Sequence, residues 1–227
     1  MKNLTKAIAL ASVATMATAA QAEVSVTGGV MSDYVFRGVQ TSTGSGYAAV
    51  DYTAGGFNAG VWAADLDDSG LEVDIYLGYG IELDSGVTLG AGYTRYEYTD
   101  NSDAGAGIDG FSQDEFAVNA GIAGFGLSYV FGTNNTDTED QDYDVITLTY
   151  DADNWGVLVG QVDNDESDNG GVAESEYNWA EISTSAEVAG LTVGATVGVQ
   201  FGLEEDGVDG DSNDGYITFD ISKSFDL

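Results

Sequence analysis

The sequence predicts an all-β protein, an antiparallel up-and-down transmembrane β-barrel of about 12 strands. Apolar and polar residues alternate along most of the 227-residue chain, which contains no Pro and 32 Gly. Short turns also alternate with long acidic loops. A soluble sandwich has no reason to collect all its long loops at one end. An outer-membrane barrel does, because one rim faces the periplasm and the other faces the outside.

Segment 71–83 shows the alternation clearly. Leu71, Val73 and Ile75 begin an apolar series, and Glu72 and Asp74 lie between them. Alternation places the two sets on opposite faces of a strand, and a membrane-crossing strand needs about 9–11 tilted residues. The pattern predicts strands near 24–37, 46–53, 57–64, 71–83, 87–98, 113–123, 125–133, 143–151, 155–163, 177–188, 191–202 and 216–227.

Some registers stay open on sequence alone. Trp62, Val145 and Leu158 fall among the polar positions of their strands. The face that each strand turns to the membrane is therefore ambiguous in 46–64 and 143–163.

The connections predict the orientation of the barrel. More than half of the 39 acidic residues lie in the long loops. An even number of strands puts both chain ends at the rim of the short turns, which is then periplasmic, and the acidic loops outside the cell. The short turns are 54–56, 84–86, 123–124, 152–154 and 189–190, and the long loops run roughly over 33–46, 65–70, 99–114, 134–142, 163–176 and 204–215.

The N-terminus has the pattern of a secretory signal peptide over 1–22. Lys2 and Lys6 precede a short apolar stretch, and the segment ends on Ala-Gln-Ala before Glu23. We expect export, cleavage after Ala22, and one barrel domain over 23–227. No apolar run reaches the roughly 18 residues of a membrane-spanning helix.

The C-terminal segment helps to decide which face is wet. The chain ends on a strand with Phe225 and Leu227 at apolar positions, as outer-membrane barrels commonly do. A soluble periplasmic barrel with an apolar interior is the less favoured alternative. Aromatic residues near strand ends predict interfacial girdles; they are Tyr34, Phe36, Phe57, Tyr93, Tyr96, Tyr98, Phe125, Trp155, Tyr177 and Trp179.

Composition excludes several functions. The formal net charge of −34 repels nucleic acid, so we expect no nucleic-acid partner. The chain has no His and no Cys, which removes the usual bases and nucleophiles of hydrolytic barrels. We therefore expect no enzyme activity.

Residues 32–40 carry a family resemblance. The stretch Ser-Asp-Tyr-Val-Phe-Arg-Gly, followed by Val39 and Gln40 where Ser-Gln is usual, resembles the opening signature of the proteobacterial TorF-type porin family. The resemblance implies an outer-membrane barrel with a pore-like role over the whole mature chain, and no established substrate.

Alternation also predicts which charged residues line the lumen. Arg37 shares the parity of Asp33, which places Tyr34 and Phe36 on the lipid side. We hypothesise that neighbouring carboxylates hold Arg37 as a lumenal cation that narrows the passage. The other interpretation is that Arg37 only neutralises buried negative charge in a closed barrel. The predicted pore-lining residues are Asp33, Arg37, Asp51, Glu72, Asp74, Glu82, Glu115, Glu181, Glu187 and Asp220.

The sequence thus favours a small, cation-preferring porin that passes small solutes and contacts outer-membrane lipid and lipopolysaccharide. The alternative is a non-conducting surface barrel whose acidic loops bind divalent cations, envelope components or a protein. No cofactor is expected, although Ca²⁺ or Mg²⁺ could bind weakly at the acidic loops. Asp209, Asp211 and Asp214 are the metal candidates, but the Gly that a calcium loop needs at its sixth position is absent.

Overall fold

A computed structural model of the chain describes residues 22–67, 70–99, 111–136, 140–165, 174–205, 208–209 and 214–227. The predicted signal peptide lies outside these residues, apart from Ala22. The strands are, in chain order, β1 (Glu23–Met31), β2 (Asp33–Phe36), β3 (Val39–Thr43), β4 (Gly46–Ala54), β5 (Phe57–Asp65), β6 (Leu71–Glu82), β7 (Thr88–Tyr98), β8 (Ser112–Ile122), β9 (Phe125–Asn135), β10 (Asp140–Asp151), β11 (Trp155–Asn164), β12 (Ser175–Val188), β13 (Leu191–Glu205), β14 (Val208–Asp209) and β15 (Asp214–Asp226).

Twelve of these strands form one closed antiparallel barrel. β2 and β3 make a separate hairpin, and β14 pairs only with β13. Each barrel strand pairs with the next one along the chain, and β15 closes the ring by pairing with β1, with Phe225 opposite Val26. Closure leaves no unpaired strand edge. The predicted fold class is confirmed.

No helix within the described ranges is long and apolar enough to cross a membrane.

The outer face of the barrel is apolar. In β6, Ile75 and Tyr79 are 51% and 56% exposed, whereas Glu72 and Asp74 are 3% and 7% exposed. A membrane barrel turns its apolar side chains outward to hydrocarbon and its polar ones inward. The burial pattern agrees with this orientation and contradicts a soluble barrel with an apolar interior.

Tight turns close the hairpins at one rim. Ala123 and Gly124 have φ of 51° and 87°, and Ala189 and Gly190 have φ of 53° and 78°. Positive φ at both central residues is the type I′ geometry, which matches the twist of paired strands. We call this rim the short-turn end and the opposite rim the long-loop end. Large parts of the predicted acidic loops lie outside the described residues.

The predicted first strand, 24–37, is wrong at its second half. β1 ends at Met31, and the chain leaves the barrel wall at Ser32. The Ser32 carbonyl accepts a 2.7 Å hydrogen bond from the Gly44 N–H, which joins the two sides of the segment at its base. Residues 33–43, the β2–β3 hairpin, are therefore an insertion between barrel strands β1 and β4.

Arg37 and Gly38 make the turn of this hairpin. Their φ values are 50° and 84°. The alternation of β1 continues through residues 32–36, so it predicted an unbroken strand. Alternation does not detect a positive-φ turn, and this is why the prediction failed here.

Glycines on the inner wall lie opposite bulky side chains. A Cβ on Gly160 would clash with the outer edge of the Trp179 ring on the next strand. The rings therefore lie flat over glycine backbone, which leaves space in the lumen. The aromatic pairs of this kind are Gly29–Tyr47, Gly60–Tyr76, Gly132–Tyr143, Gly160–Trp179 and Gly198–Tyr216.

Candidate functional site

The β2–β3 hairpin extends into the barrel. The Tyr34 ring lies 5.5 Å from the ring of Trp62 on β5, and the Phe36 ring lies 5.8 Å from that of Tyr96 on β7. Both hairpin residues follow directly after β1, yet they contact strands two and four places away around the ring. We call residues 33–43 the lumenal hairpin.

The tip of the lumenal hairpin contacts two distant parts of the wall. Arg37 forms an ion pair with Glu115 of β8. A Cβ on Gly38 would lie only 2.6 Å from the Cβ of Trp179 on β12, so the hairpin backbone is packed against that side chain. The hairpin thus crosses the lumen from one side to the other.

Arg37 is a buried cation. Its Nη2 lies 2.6 Å from Oε1 of Glu115, and both side chains are 5% exposed. The guanidinium carbon lies 4.5 Å from the Phe36 ring and 5.8 Å from the Tyr143 ring. Burial lowers the pKa of Arg37, but attraction to Glu115 outweighs it and the pKa is raised. Arg37 therefore stays charged.

Glu115 holds three groups together. It accepts a 3.0 Å hydrogen bond from the Tyr96 hydroxyl and a 2.7 Å hydrogen bond from the Tyr143 hydroxyl, in addition to its contact with Arg37. A buried carboxylate needs this number of partners to offset the loss of water.

Tyr34 forms the second polar anchor of the hairpin. Its hydroxyl donates a 2.6 Å hydrogen bond to Glu72 of β6, and the residue is 2% exposed. Burial and the neighbouring Glu72 charge raise the pKa of Tyr34, so the hydroxyl keeps the proton that it donates.

The inner wall carries more acidic than basic groups. Arg37 is the one basic side chain inside the barrel among the described residues, since Arg95 and Lys223 lie on the outer face. Several lumenal carboxylates accept hydrogen bonds from tyrosines: Asp51 from Tyr76, and Glu181 from Tyr216 at 2.6 Å.

The predicted pore-lining residues fall into three groups. Glu72, Asp74 and Glu115 are buried on the inner face, and Asp51, Glu181 and Asp220 are half-buried there. Asp33 and Arg37 belong to the hairpin instead of the wall, and Asp33 accepts a 2.9 Å hydrogen bond from Gln40. Glu82 and Glu187 are exposed near the short-turn end.

Two groups of aromatic residues were assigned wrongly. Tyr34 and Phe36 are inside the barrel and not on the lipid side, because their segment leaves the wall. Tyr96, Tyr98, Tyr177 and Trp179 share the parity of buried polar positions and also face inward. The outward-facing aromatics of the predicted girdles are Phe57, Tyr93, Phe125 and Trp155.

Part of the inner wall is apolar, which the alternation of polar and apolar residues alone does not explain. Val130, Tyr143, Val145, Val162 and Trp179, from β9 to β12, form a buried cluster, which we call the apolar side. We call Glu72, Asp74, Tyr96 and Glu115, from β6 to β8, the polar side.

The division of the inner wall into an apolar and a polar side resolves the strand registers that were ambiguous from sequence alone. Val145 and Leu158 belong to the apolar side or pack against it, and the Trp62 ring contacts Tyr34. Apolar side chains at polar positions were the one signal in the sequence that something packs inside the barrel.

A cavity of about 260 Å³ lies between the lumenal hairpin and the wall. The residues around it come from strand ends at the long-loop end, such as Tyr98, Gln113 and Asn164. The floor of the cavity includes Phe36 and Arg37. The cavity is thus a vestibule in front of the hairpin tip.

No group of three or more acidic side chains could hold a metal ion within the part of the chain that the structure describes. Of the metal candidates, Asp211 and the side chain of Asp209 lie outside that part, and Asp214 begins β15. Weak Ca²⁺ or Mg²⁺ binding by the acidic loops remains a prediction.

Comparison of the sequence with family models identifies one family. Residues 15–201 match the model of Gcw_chp, described as a bacterial protein of unknown function. The match covers most of the chain, so the chain belongs to this family. It supports a bacterial family without a known function, while the TorF-type assignment stays a resemblance. Among curated protein sequences, none matches this chain.

Solved structures share the fold. One solved structure is described as "Unveiling the Mechanism Behind the in-meso Crystallization of Membrane Proteins". It aligns with this chain at 10% identity and a TM-score of 0.58, over 90% of this chain and 84% of the other. The outer membrane protein OprD from Pseudomonas aeruginosa aligns at 12% identity with a TM-score of 0.49, over 90% of this chain and 66% of OprD. OccAB2 from Acinetobacter baumannii aligns at 8% identity with a TM-score of 0.49, over 82% of this chain and 56% of OccAB2. The chain therefore spans little more than half the length of OccAB2.

Proposed function

We propose that this member of the Gcw_chp family is a narrow outer-membrane channel for the passive diffusion of small solutes. The observation that carries the proposal is a closed barrel with an apolar outer face and a polar inner face. Barrels of about eight strands are filled by side chains, and those of 16–18 strands enclose a water channel. Twelve strands, with wall rings lying over glycines, support a passage between these limits.

The charge of the lumen supports a preference for cations. Asp51, Glu72, Asp74, Glu181 and Asp220 lie on the inner face without a basic partner of their own among the described residues. Arg37, the one basic side chain inside the described part of the barrel, is paired with Glu115. Charged rings in a narrow pore select ions of opposite sign.

The short-turn end faces the periplasm in this proposal. The support is the type I′ turns at this rim, the start of β1 and the end of β15 at the same rim, and the predicted signal peptide over 1–22. The long-loop end then faces outward, with its acidic loops close to lipopolysaccharide and the apolar outer face in contact with lipid.

Recordings in planar lipid bilayers test the channel. We expect discrete conductance steps, and a reversal potential of the cation-selective sign in a KCl gradient. Asp51→Asn should lower the cation preference, because it removes a half-buried charge from the lumen. The matched control, Asp144→Asn, removes an exposed charge from the outer face of β10 and should have a smaller effect. Anion preference of the unmodified protein would refute the cation assignment.

A non-conducting surface barrel is the second candidate, favoured by the hairpin that crosses the lumen. In this alternative the acidic loops bind divalent cations, an envelope component or a protein partner. Liposome swelling in solutes of graded size separates the two. Swelling by the unmodified protein supports the channel, whereas swelling only after removal of the lumenal hairpin supports the non-conducting barrel.

A further inference from the structure

We infer that the vestibule is a binding site for a small neutral solute rich in hydroxyl groups, of the monosaccharide or polyol class. This inference names the solute of the proposed channel and rests on that function for the route by which the solute passes on. Three features of the cavity support it: its hydrogen-bonding groups, its charge balance and its aromatic faces.

A series of hydrogen-bonded amides starts at the vestibule wall and continues beyond it. The Tyr98 hydroxyl donates to Oε1 of Gln113 at 3.3 Å, and Nε2 of Gln113 donates to Oδ1 of Asn134 at 2.8 Å. Nδ2 of Asn134 then donates to Oε1 of Gln141 at 3.3 Å, and Nε2 of Gln141 donates to the Asp165 carbonyl at 2.8 Å. The series links four neighbouring strands, β7 to β10, in one direction.

These hydrogen bonds fix the amides and, among the described residues, leave half of their hydrogen-bonding capacity free. An amide side chain has two N–H donors and two acceptor lone pairs. Gln113 and Asn134 each use one donor and one acceptor within the series. Each can therefore offer a donor and an acceptor to a ligand from a fixed position. A hydroxyl group both donates and accepts, so neighbouring hydroxyls suit such a pair.

The charged side chains that line the vestibule are paired or shielded by burial. Arg37 is paired with Glu115, and Glu72 accepts the Tyr34 hydroxyl while 3% exposed. A charged solute entering here would lose water without reaching an exposed counter-charge, which is costly. A neutral polar solute avoids this cost.

Aromatic side chains provide the remaining surface. Phe36 and Tyr177, which are both half-buried, line the cavity together with the amides. Ring faces pack against the C–H surfaces of sugars and polyols, and tyrosine adds a hydroxyl. The volume of about 260 Å³ is just below the roughly 300–1,000 Å³ range of pockets for drug-sized ligands. A solute of about monosaccharide size fits this volume.

Calorimetric titration of the detergent-solubilised full chain tests the inference. The probes are glucose and sorbitol, with glucosamine and gluconate as charged counterparts of similar size. We expect heats of binding for the two neutral probes and at least several-fold weaker binding of the charged ones. This comparison uses the unmodified protein and so does not depend on whether any variant folds.

Variants then locate the site. Asn134→Ala and Gln113→Ala should each weaken glucose binding about 3–10-fold, since each removes a hydrogen-bonding side chain and breaks the series of amides. The matched control is Asn119→Ala, because Asn119 lies on the same face of β8 as Gln113 but does not line the vestibule. It should leave glucose binding unchanged.

The outcomes separate this inference from the channel proposal. Conductance without binding of neutral probes overturns the inference and leaves the channel intact. Binding of glucose without conductance or swelling supports the site and overturns the channel. Equal or tighter binding of glucosamine or gluconate, or equal effects of the Asn119 and Asn134 variants, overturns the assigned solute class or its location.

Discussion

On the polar side of the lumen, Glu115 binds Arg37 through charge and receives two tyrosine hydroxyls, whereas on the apolar side Trp179 contacts Gly38 through packing alone. Both sides belong to the same barrel wall and to the same inward-facing parity. The residue type at an inward position of this barrel therefore depends on which part of the lumenal hairpin contacts that position. A polar anchor fixes the direction of the hairpin, and an apolar anchor fixes how far it reaches.

Removal of the polar anchor should have the largest effect. Arg37→Ala leaves Glu115 buried without its cation, and breaking a buried ion pair from one side costs about 3–5 kcal/mol. The hairpin loses its hold on β8, so we expect higher single-channel conductance together with lower resistance to denaturant.

Arg95→Ala is the matched control for that variant. Arg95 pairs with Glu97 and Asp114 on the outer face, where the Arg95 side chain is 40% exposed. Such pairs contribute about 0–1 kcal/mol. Unchanged conductance in Arg37→Ala, or equal effects of the two variants, would contradict the role given to the Arg37–Glu115 pair.

The apolar anchor can be tested at Gly38. Gly38→Ala places a Cβ 2.6 Å from the Trp179 Cβ at a φ of 84°, and we expect a loss of about 1–3 kcal/mol with a smaller rise in conductance. Gly44→Ala has a similar φ of 70° but open space around it. The difference between the two variants, measured by denaturant unfolding and conductance, isolates the contact with Trp179. Equal losses of stability and equal conductances in the two variants would show that the contact between Gly38 and Trp179 does not anchor the hairpin.

Tyr34→Phe separates packing from hydrogen bonding. The ring contact with Trp62 stays, but Glu72 loses the hydroxyl that donates to it. An unsatisfied buried acceptor costs about 1–3 kcal/mol. Denaturant unfolding measures the loss, and Tyr52→Phe on the outer face is the control with no expected change. A stability equal to that of the unmodified protein would remove Glu72 from the set of anchors.

A change far from both anchors should have the smallest effect. Gly190→Ala introduces a side chain at a φ of 78° in a turn at the short-turn end, with open space around it. Backbone strain should cost about 1 kcal/mol, with no change in conductance because the turn lies outside the lumen. A clear change in conductance would mean that this rim shapes the passage.

Much of the barrel could be predicted from local patterns. Strand 71–83 differs from β6 only at its end, and the turns at 123–124 and 189–190 lie where short connections were expected. These features depend on neighbours in sequence, which alternation and turn chemistry report directly.

The functional site could be predicted only in part. Parity placed Glu72 and Glu115 inside, but it could not show that Arg37 reaches Glu115, because the two are joined through the fold and not through local sequence. The hairpin itself was hidden by alternation that continues past the end of β1. Inward apolar residues such as Val145 are its sign in the sequence, but alternation alone cannot distinguish that sign from an ambiguous register.

Removal of residues 33–43 tests whether the lumenal hairpin narrows the lumen. Because Ser32 and Gly44 are already hydrogen-bonded at the base of the hairpin, replacing 33–43 by an Asn-Gly turn should keep the twelve-stranded barrel closed. Retained β-sheet circular dichroism and heat-modifiable gel mobility would verify the fold. Single-channel conductance is then compared with that of the unmodified protein. We expect a several-fold increase, and an unchanged conductance in the folded variant would show that the hairpin does not restrict the passage.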